Sequence, residues 1–257
     1  MSLDLTIFSN LRERDLRREG VFITEGRLVT ERALGSSWPM EGVVCMPQWA
    51  ERATTLAGGR CPVAVLPEAE MARLAGFNFH RGMLGAGRRL SLPTVASVAA
   101  QARLLVALPE VNTVENLGAV FRSASALGAD GVLLGERCGD PLSRRALKAS
   151  AGSVFSLPFA ESADLAAELT SLKASGYRIV GAVPDSRATD LRRYRPPARL
   201  VVLFGNEADG LDRTHRDRCD DLVTIPMCGS LDSLNLAVAA GIVLYAVAAA
   251  LGRLPDA

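Results

Sequence analysis

The stretch Leu203–Tyr245, LFGNEADGLDRTHRDRCDDLVTIPMCGSLDSLNLAVAAGIVLY, decides how this chain is read. Leu200 to Leu203 are four apolar residues of a strand that runs into Gly205-Asn206-Glu207, and Leu222 to Pro226 form a second strand. Beyond that strand, Ser233-Leu234-Asn235 stands at the mouth of an apolar helix. Polar, turn-forming tripeptides thus follow two strands of one sheet, which is where open α/β sheets carry their ligand sites. The function is expected here.

Outward from this stretch the chain alternates strands with helices. Upstream come a strand at Leu104–Leu108, a helix ending at Leu127, a strand at Val132–Leu134 and a helix over Pro141–Ala151. A helix over Ala163–Ser175 and a strand at Arg178–Val183 follow. Such alternation predicts a mostly parallel sheet covered on both faces. Nearer the N-terminus a shorter rhythm gives a separate small α/β unit: a charged helix over Leu3–Arg18, strands at Val21–Ile23, Val43–Met46, Val63–Leu66 and Met83–Gly87, and helices between them. The run Arg88–Val95, with Pro93, reads as a linker, so the domains are expected at 1–95 and 96–257.

Composition narrows the classes. The formal charge of the 257 residues is only +1, so global charge announces no nucleic-acid partner. Of the 29 basic residues, however, only Lys148 and Lys173 are lysines, and arginine suits bidentate phosphate contacts. Arg12, Arg14, Arg17 and Arg18, together with Arg81, Arg88 and Arg89, are candidate phosphate contacts, with a solvated helix face the plainer account of the first four. Five scattered cysteines without C-x-x-C spacing argue against a disulfide framework or zinc cluster and for a reducing cytoplasm. The N-terminus has no apolar core of a signal peptide. Leu236–Gly252 is uncharged over 17 residues, at the lower limit for a membrane span, and reads better as a soluble helix buried on all sides.

Several chemistries are poorly supplied. Two histidines, His80 and His215, leave little for a catalytic triad or a His-rich metal site, and no H-E-x-x-H is present. Neither a Walker loop nor G-x-G-x-x-G follows any strand. What remains is Asn116, placed to cap a helix from Leu117, with Arg122 six residues on, and the Gly205-Asn206-Glu207 loop. Gly205 would permit a special backbone conformation facing a ligand, and Glu207 would be a general base, a ligand contact or a helix first-turn acid. Ser233 and Asn235 would be site groups or helix caps.

Together these segments resemble the three ordered motifs of SpoU-type (TrmH-like) RNA ribose methyltransferases of the SPOUT superfamily: Asn116 with Arg122, Gly205-Asn206-Glu207-x-x-Gly210-Leu211, and Ile225-Pro226-Met227 leading to Ser233-Leu234-Asn235. The resemblance covers roughly Leu104–Leu251, and Phe22-Ile23-Thr24-Glu25-Gly26 resembles the ribosomal-protein-like RNA-binding domain often found in front. It implies a parallel sheet tied into a deep trefoil knot, a rare exception to the rule against knots. It also implies a homodimer packed through the final helix, with no membrane, and S-adenosylmethionine held by the backbone of Gly205, Ile225 and Leu234. The implied reaction is methylation of a ribose 2′-hydroxyl of transfer or ribosomal RNA by in-line displacement, with no metal. Arg122, Asn116, Glu207, Ser233 and Asn235 are the implied catalytic set. Because guanidinium is essentially never deprotonated, Arg122 is better suited to gripping phosphate and stabilising alkoxide charge than to acting as a base. Two departures stand out: Ala208-Asp209 replaces a second glycine, and Lys148 stands where relatives carry arginine. A non-catalytic RNA-binding or ribosome-assembly protein, or a base methyltransferase, are the rival readings.

Overall fold

The computed structural model describes residues 3–9, 12–76, 82–228 and 233–255. The chain divides into two compact units, one of Met1–Ser91 with Asp140–Ser156, the other of Leu92–Gly139 with Leu157–Ala257.

In the first unit the chain runs α1 (Glu13–Arg18), β1 (Val21–Glu25), α2 (Arg27–Leu34), β2 (Met40–Cys45), α3 (Ala50–Ala57), β3 (Val63–Val65), α4 (Glu68–Ala75) and β4 (Met83–Arg88). Its sheet has the order β1-β4-β2-β3, antiparallel except for the β2–β3 pair. The expected Leu3–Arg18 helix is instead a 3-10 turn at Leu5–Phe8 and the separate α1. Asp4 and Ser9 explain the break: Asp4 accepts from the Thr6 amide at 2.9 Å, and the Ser9 hydroxyl donates to the Thr6 carbonyl at 2.7 Å. Such local side-chain bonds compete with helix propagation. Residues 140–156 belong to this unit through specific contacts. Arg89 forks onto Asp140 at 2.5 and 3.0 Å, Arg144 reaches Glu25 at 2.6 Å, and Phe22 packs on Phe155 with centroids 5.2 Å apart. Arg89 is therefore a half-buried tie, its side chain 15% exposed, and not the free phosphate contact expected of it. Arg88 likewise pairs with Glu41, and Arg81 lies outside the described residues.

The second unit begins with α5 (Val95–Ala99), β5 (Leu104–Val111), α6 (Val114–Ala126) and β6 (Gly131–Cys138). After α7 (Arg144–Ala149), which lies in the first unit, follow β7 (Phe159–Ser162), α8 (Leu165–Ala174), β8 (Arg178–Ala182), β9 (Thr189–Asp190), β10 (Leu200–Phe204), α9 (Arg213–Arg216), β11 (Asp221–Thr224) and α10 (Leu236–Ala250). All seven strands pair in parallel, in the order β7-β6-β5-β10-β8-β11-β9. Leu200–Phe204 is buried at every residue, as a central parallel strand covered on both faces must be. The helix expected over Pro141–Ala151 shortens to α7, because Ser143 caps it by accepting from the Ala146 amide and the left-handed Ala151 and Gly152 end it.

The chain reaches β8, goes out to the edge strand β9, returns to the centre as β10, and goes out again as β11. The neighbours β5 and β10 lead to opposite sides, β5 to β6 and β10 to β11, so the strand order switches between them.

The final helix is not buried all round within one chain. Leu236, Ala240, Val243, Leu244 and Val247 face inward, whereas Val238, Ile242 and Tyr245 are 52%, 39% and 59% exposed. Spacings of four and three residues put those three on one stripe. Among the described residues no helix is long and apolar enough to cross a membrane.

Candidate active site

The loop after β10 is shaped by a close approach. Gly205 does not adopt a left-handed backbone; a Cβ there would lie 2.0 Å from the Gly210 carbonyl carbon and 2.2 Å from the Leu211 nitrogen. The sequence-based reason for this glycine is thus corrected from conformation to space. The loop closes on itself, with the Asn206 amide donating to the Gly210 carbonyl at 3.1 Å and the Gly210 amide to the Asn206 carbonyl at 3.2 Å. Asn206 Oδ1 accepts from the Ala208 and Asp209 amides at 2.9 and 2.6 Å. The left-handed residue is Gly210 at φ +69, so Ala208 sits without strain. Glu207 is left pointing outward, six residues before α9, and cannot serve that helix as a first-turn acid.

What Glu207 does meet is Asn116. Glu207 Oε1 accepts from Asn116 Nδ2 at 2.7 Å, and Asn116 Oδ1 accepts from Asn235 Nδ2 at 3.1 Å. Asn235 caps α10, its Oδ1 accepting from the Ala237 amide at 2.9 Å. The chain of donors is self-consistent, since each amide gives its NH₂ to an acceptor and its oxygen to a donor. Asn116 is not a helix cap: α6 starts at Val114 with Thr113 in the cap position, which places Asn116 in the first turn with its side chain free to reach across. The inward face of that helix is Leu117, Val120, Phe121 and Ala124.

Against this polar chain lies a cavity of about 590 Å³ between the ends of β8, β10 and β11 and the start of α10. Gly205, Ile225, Leu234, Ser233 and Glu207 all line it. Its walls also carry two residues the sequence reading passed over, Asp185 and Arg216. Asp185 accepts from Arg216 at 2.8 Å and from Arg187 at 3.1 Å, and the Arg187 bond first, then Arg216, hold its carboxyl well below the usual range. Asp185 lies three residues past β8, so the strand-end rule that flags Glu207 would flag it too.

Arg122 stands apart from this group. It is exposed on α6 with no ion-pair or hydrogen-bond partner among the described residues. Six residues of helix carry it about 9 Å along the axis and roughly 240° around from Asn116. His215 is committed elsewhere, its Nδ1 2.8 Å from Asp212.

Fold and site together define a parallel α/β protein whose ligand cavity lies at the crossover of its central strands. The chain matches the SpoU rRNA Methylase family over residues 103–245, and it belongs to that family. It is 38% identical over 231 residues to an uncharacterized tRNA/rRNA methyltransferase of Mycobacterium bovis, covering 88% of this chain and 80% of the relative. Among solved structures, the AdoMet-bound rRNA methyltransferase of Sinorhizobium meliloti superposes with a TM-score of 0.80 at 25% identity, over 98% of this chain and 94% of its own. An RNA 2′-O ribose methyltransferase gives 0.75 at 25% identity, over 97% and 94%.

Proposed function

We propose that this protein transfers a methyl group from S-adenosylmethionine to a ribose 2′-hydroxyl of a structured RNA, transfer or ribosomal, in the cytoplasm. The observation that carries this reading is the Asn235–Asn116–Glu207 chain of hydrogen bonds beside the 590 Å³ cavity. The likeness to an RNA 2′-O ribose methyltransferase supports it. The cavity fits the donor in size, within the roughly 300–1,000 Å³ of small-molecule sites. It suits a cationic sulfonium in charge as well, because Glu207 and Asp209 line it while Arg216 is paired with Asp185.

Gly205, Ile225 and Leu234 would hold the donor through their backbone. S-Adenosylmethionine supplies a methyl carbon on a positively charged sulfur, open to in-line attack. Its transfer to the 2′-oxygen would leave S-adenosylhomocysteine, and the hydroxyl proton would pass to the Glu207 carboxylate. Glu207 is oriented by Asn116, and Asn116 by Asn235, so the carboxylate is held to accept a hydrogen bond from the ribose hydroxyl. Ser233 would add a further polar contact. Arg122 would grip the neighbouring phosphate and stabilise negative charge growing on the oxygen.

The reading extends to the rest of the molecule. The second unit would carry the trefoil knot, and the front domain, 1–95, would bind RNA. The exposed Val238, Ile242 and Tyr245 stripe would pack against a second copy in a homodimer. A monomer at micromolar concentration by sedimentation would remove the dimer.

The test is transfer of labelled methyl to separated transfer and ribosomal RNA from cells lacking the gene, followed by nucleoside mass analysis. Label in a 2′-O-methyl nucleoside, lost in Asn116→Ala and Arg122→Ala, supports the reading. Label in a base overturns the sugar assignment, and absence of donor binding overturns the enzyme.

A further inference from the structure

The chain's formal charge of +1 is unevenly laid out. Residues 185–199, DSRATDLRRYRPPAR, hold five arginines and two aspartates, net +3, so the other 242 residues carry 24 basic and 26 acidic groups, net −2. Without this segment the chain's formal charge changes sign. It includes β9, the edge strand of the parallel sheet.

The arginines of this segment are not all used internally. Arg187 pairs with Asp185 and Arg192 with Asp190, yet their side chains remain 86% and 75% exposed. Arg193 and Arg195 are exposed and have no carboxylate in ion-pair range among the described residues. Arg195 reaches only backbone carbonyls, those of Arg192 and Tyr194.

The start of the segment adjoins the cavity, and its later part runs back toward β10, with the Tyr194 hydroxyl donating to Asp221 at 3.2 Å. Asp185 and Ser186, at its start, line the cavity, as does Thr224, which pairs with Asp190 across the β11–β9 ladder. From β10, which delivers Glu207, to β9 is three strand spacings, about 14 Å at about 4.8 Å each. An RNA strand covers that distance in about four nucleotides at about 3.4 Å per step.

We propose that Arg187, Arg192, Arg193 and Arg195 form a docking surface for the phosphate backbone of RNA, gripping the strand a few nucleotides from the one presented at Glu207. The inference rests on the RNA methyl-transfer reading above. Arginine's planar fork suits phosphate oxygens, and backbone contacts fix register without reading sequence. The competing account is edge protection, in which charges and Pro196-Pro197 keep β9 from pairing with another sheet. That account predicts no effect on RNA affinity.

The test uses the full-length protein with unfractionated transfer RNA and, separately, total ribosomal RNA as probes, across salt from about 50 to 200 mM. Arg193→Glu and Arg195→Glu are compared with Arg103→Glu, the same charge change before β5 at the opposite end of the sheet. Each edge variant is expected to weaken RNA binding about tenfold at low salt, and the pair to flatten the log–log salt slope by about 1.4–1.8. Arg103→Glu should stay within about twofold, and S-adenosylhomocysteine binding by calorimetry should be unchanged in all. Edge variants that bind RNA no more weakly than Arg103→Glu overturn the docking surface and leave the methyl-transfer reading standing. A wild-type protein that binds S-adenosylhomocysteine but no RNA overturns the docking surface together with the RNA substrate. One that binds neither overturns the entire reading.

Discussion

The two ends of the seven-stranded sheet are built for opposite purposes. At the N-terminal end Asp130, Asp220 and Asp221 are tied into the frame. Asp130 accepts from the Arg103 and Leu104 amides at 2.7 and 2.8 Å and from both arms of Arg253 at 3.0 and 2.8 Å. Asp220 accepts from the Ile179 amide at 2.8 Å and pairs with Lys173 at 2.8 Å, and Asp221 forks onto Arg178. At the C-terminal end Asp185 pairs with Arg216 and Arg187, Asn235, Asn116 and Glu207 form one short chain at the cavity, and Arg122 has no partner among the described residues. One end spends its charge on holding strands together, and the other sets polar groups beside a cavity. Variants at the two ends should therefore separate stability from turnover.

The largest effect is expected at Asn116. Asn116→Ala removes the bonds to Glu207 and Asn235 together, so the carboxylate loses its orientation. Methyl transfer should fall about 10²–10³-fold in kcat, the scale of losing one preorganised polar contact at a reacting centre. Its unfolding midpoint in urea should match wild type, since the side chain is partly solvated. A parallel loss of stability would make Asn116 a frame residue and erase the contrast between the ends.

Gly205 is the position where the two purposes meet. In Gly205→Ala the new methyl collides with backbone of Gly210 and Leu211, which cannot rotate away as a side chain could. A cost of about 2–3 kcal/mol by urea unfolding is expected, at the upper range of overpacking. Donor binding by calorimetry should be lost as the loop shifts. Full retention of donor affinity would detach the 205–210 loop from the cavity.

Next comes Asp130, at the frame end. Asp130→Ala strips acceptors from two amides and a guanidinium, for an expected loss of about 2 kcal/mol at pH 7, where hydrogen bonds to charged groups contribute about 1.5–3. Transfer per folded molecule should stay within about twofold, because the frame end is remote from the cavity. Burial alone would raise the Asp130 pKa, but bonds from Arg253 and the Leu104 and Arg103 amides outweigh it and hold it below the ordinary value. A depressed folded pKa means that its stabilisation is complete above the unfolded value of about 3.9 and drains as pH falls through the lower folded one. Urea titrations from neutral pH into that acid window should show a shallower decline in the variant than in wild type.

How far the sequence reveals this contrast depends on the range of the interactions involved. Leu200–Phe204 and Leu104–Leu108 are legible because a parallel strand buried on both faces must be apolar at successive positions. The elements that escape such reading, α5, β7 and β9, have five, four and two residues and owe their existence to neighbours in the sheet or core. Asn116 shows the limit most clearly. Local rules place a cap before an apolar run, yet its partners lie 91 and 119 residues away and no local rule contains them. The candidate residues Glu207, Ser233 and Asn235 are legible as strand-end and helix-start groups, while the Asp185–Arg216 pair depends on where β8 and α9 meet in space.

The smallest expected effect sharpens the contrast from the other side. Ala208 occupies the place where a glycine would suggest a left-handed turn, yet the only described non-glycine residue with positive φ is Ala151. The turn is made instead by Gly210 at φ +69 and by Asn206 Oδ1 accepting the Ala208 and Asp209 amides. Ala208→Gly should therefore relieve nothing. Its effect reduces to the added freedom of the unfolded chain, about 0.4–1 kcal/mol of lost stability. Donor affinity and kcat should match wild type. A gain in either would show that Ala208 strains the loop in the ligand-bound state, and would move this residue from the frame's logic to the site's.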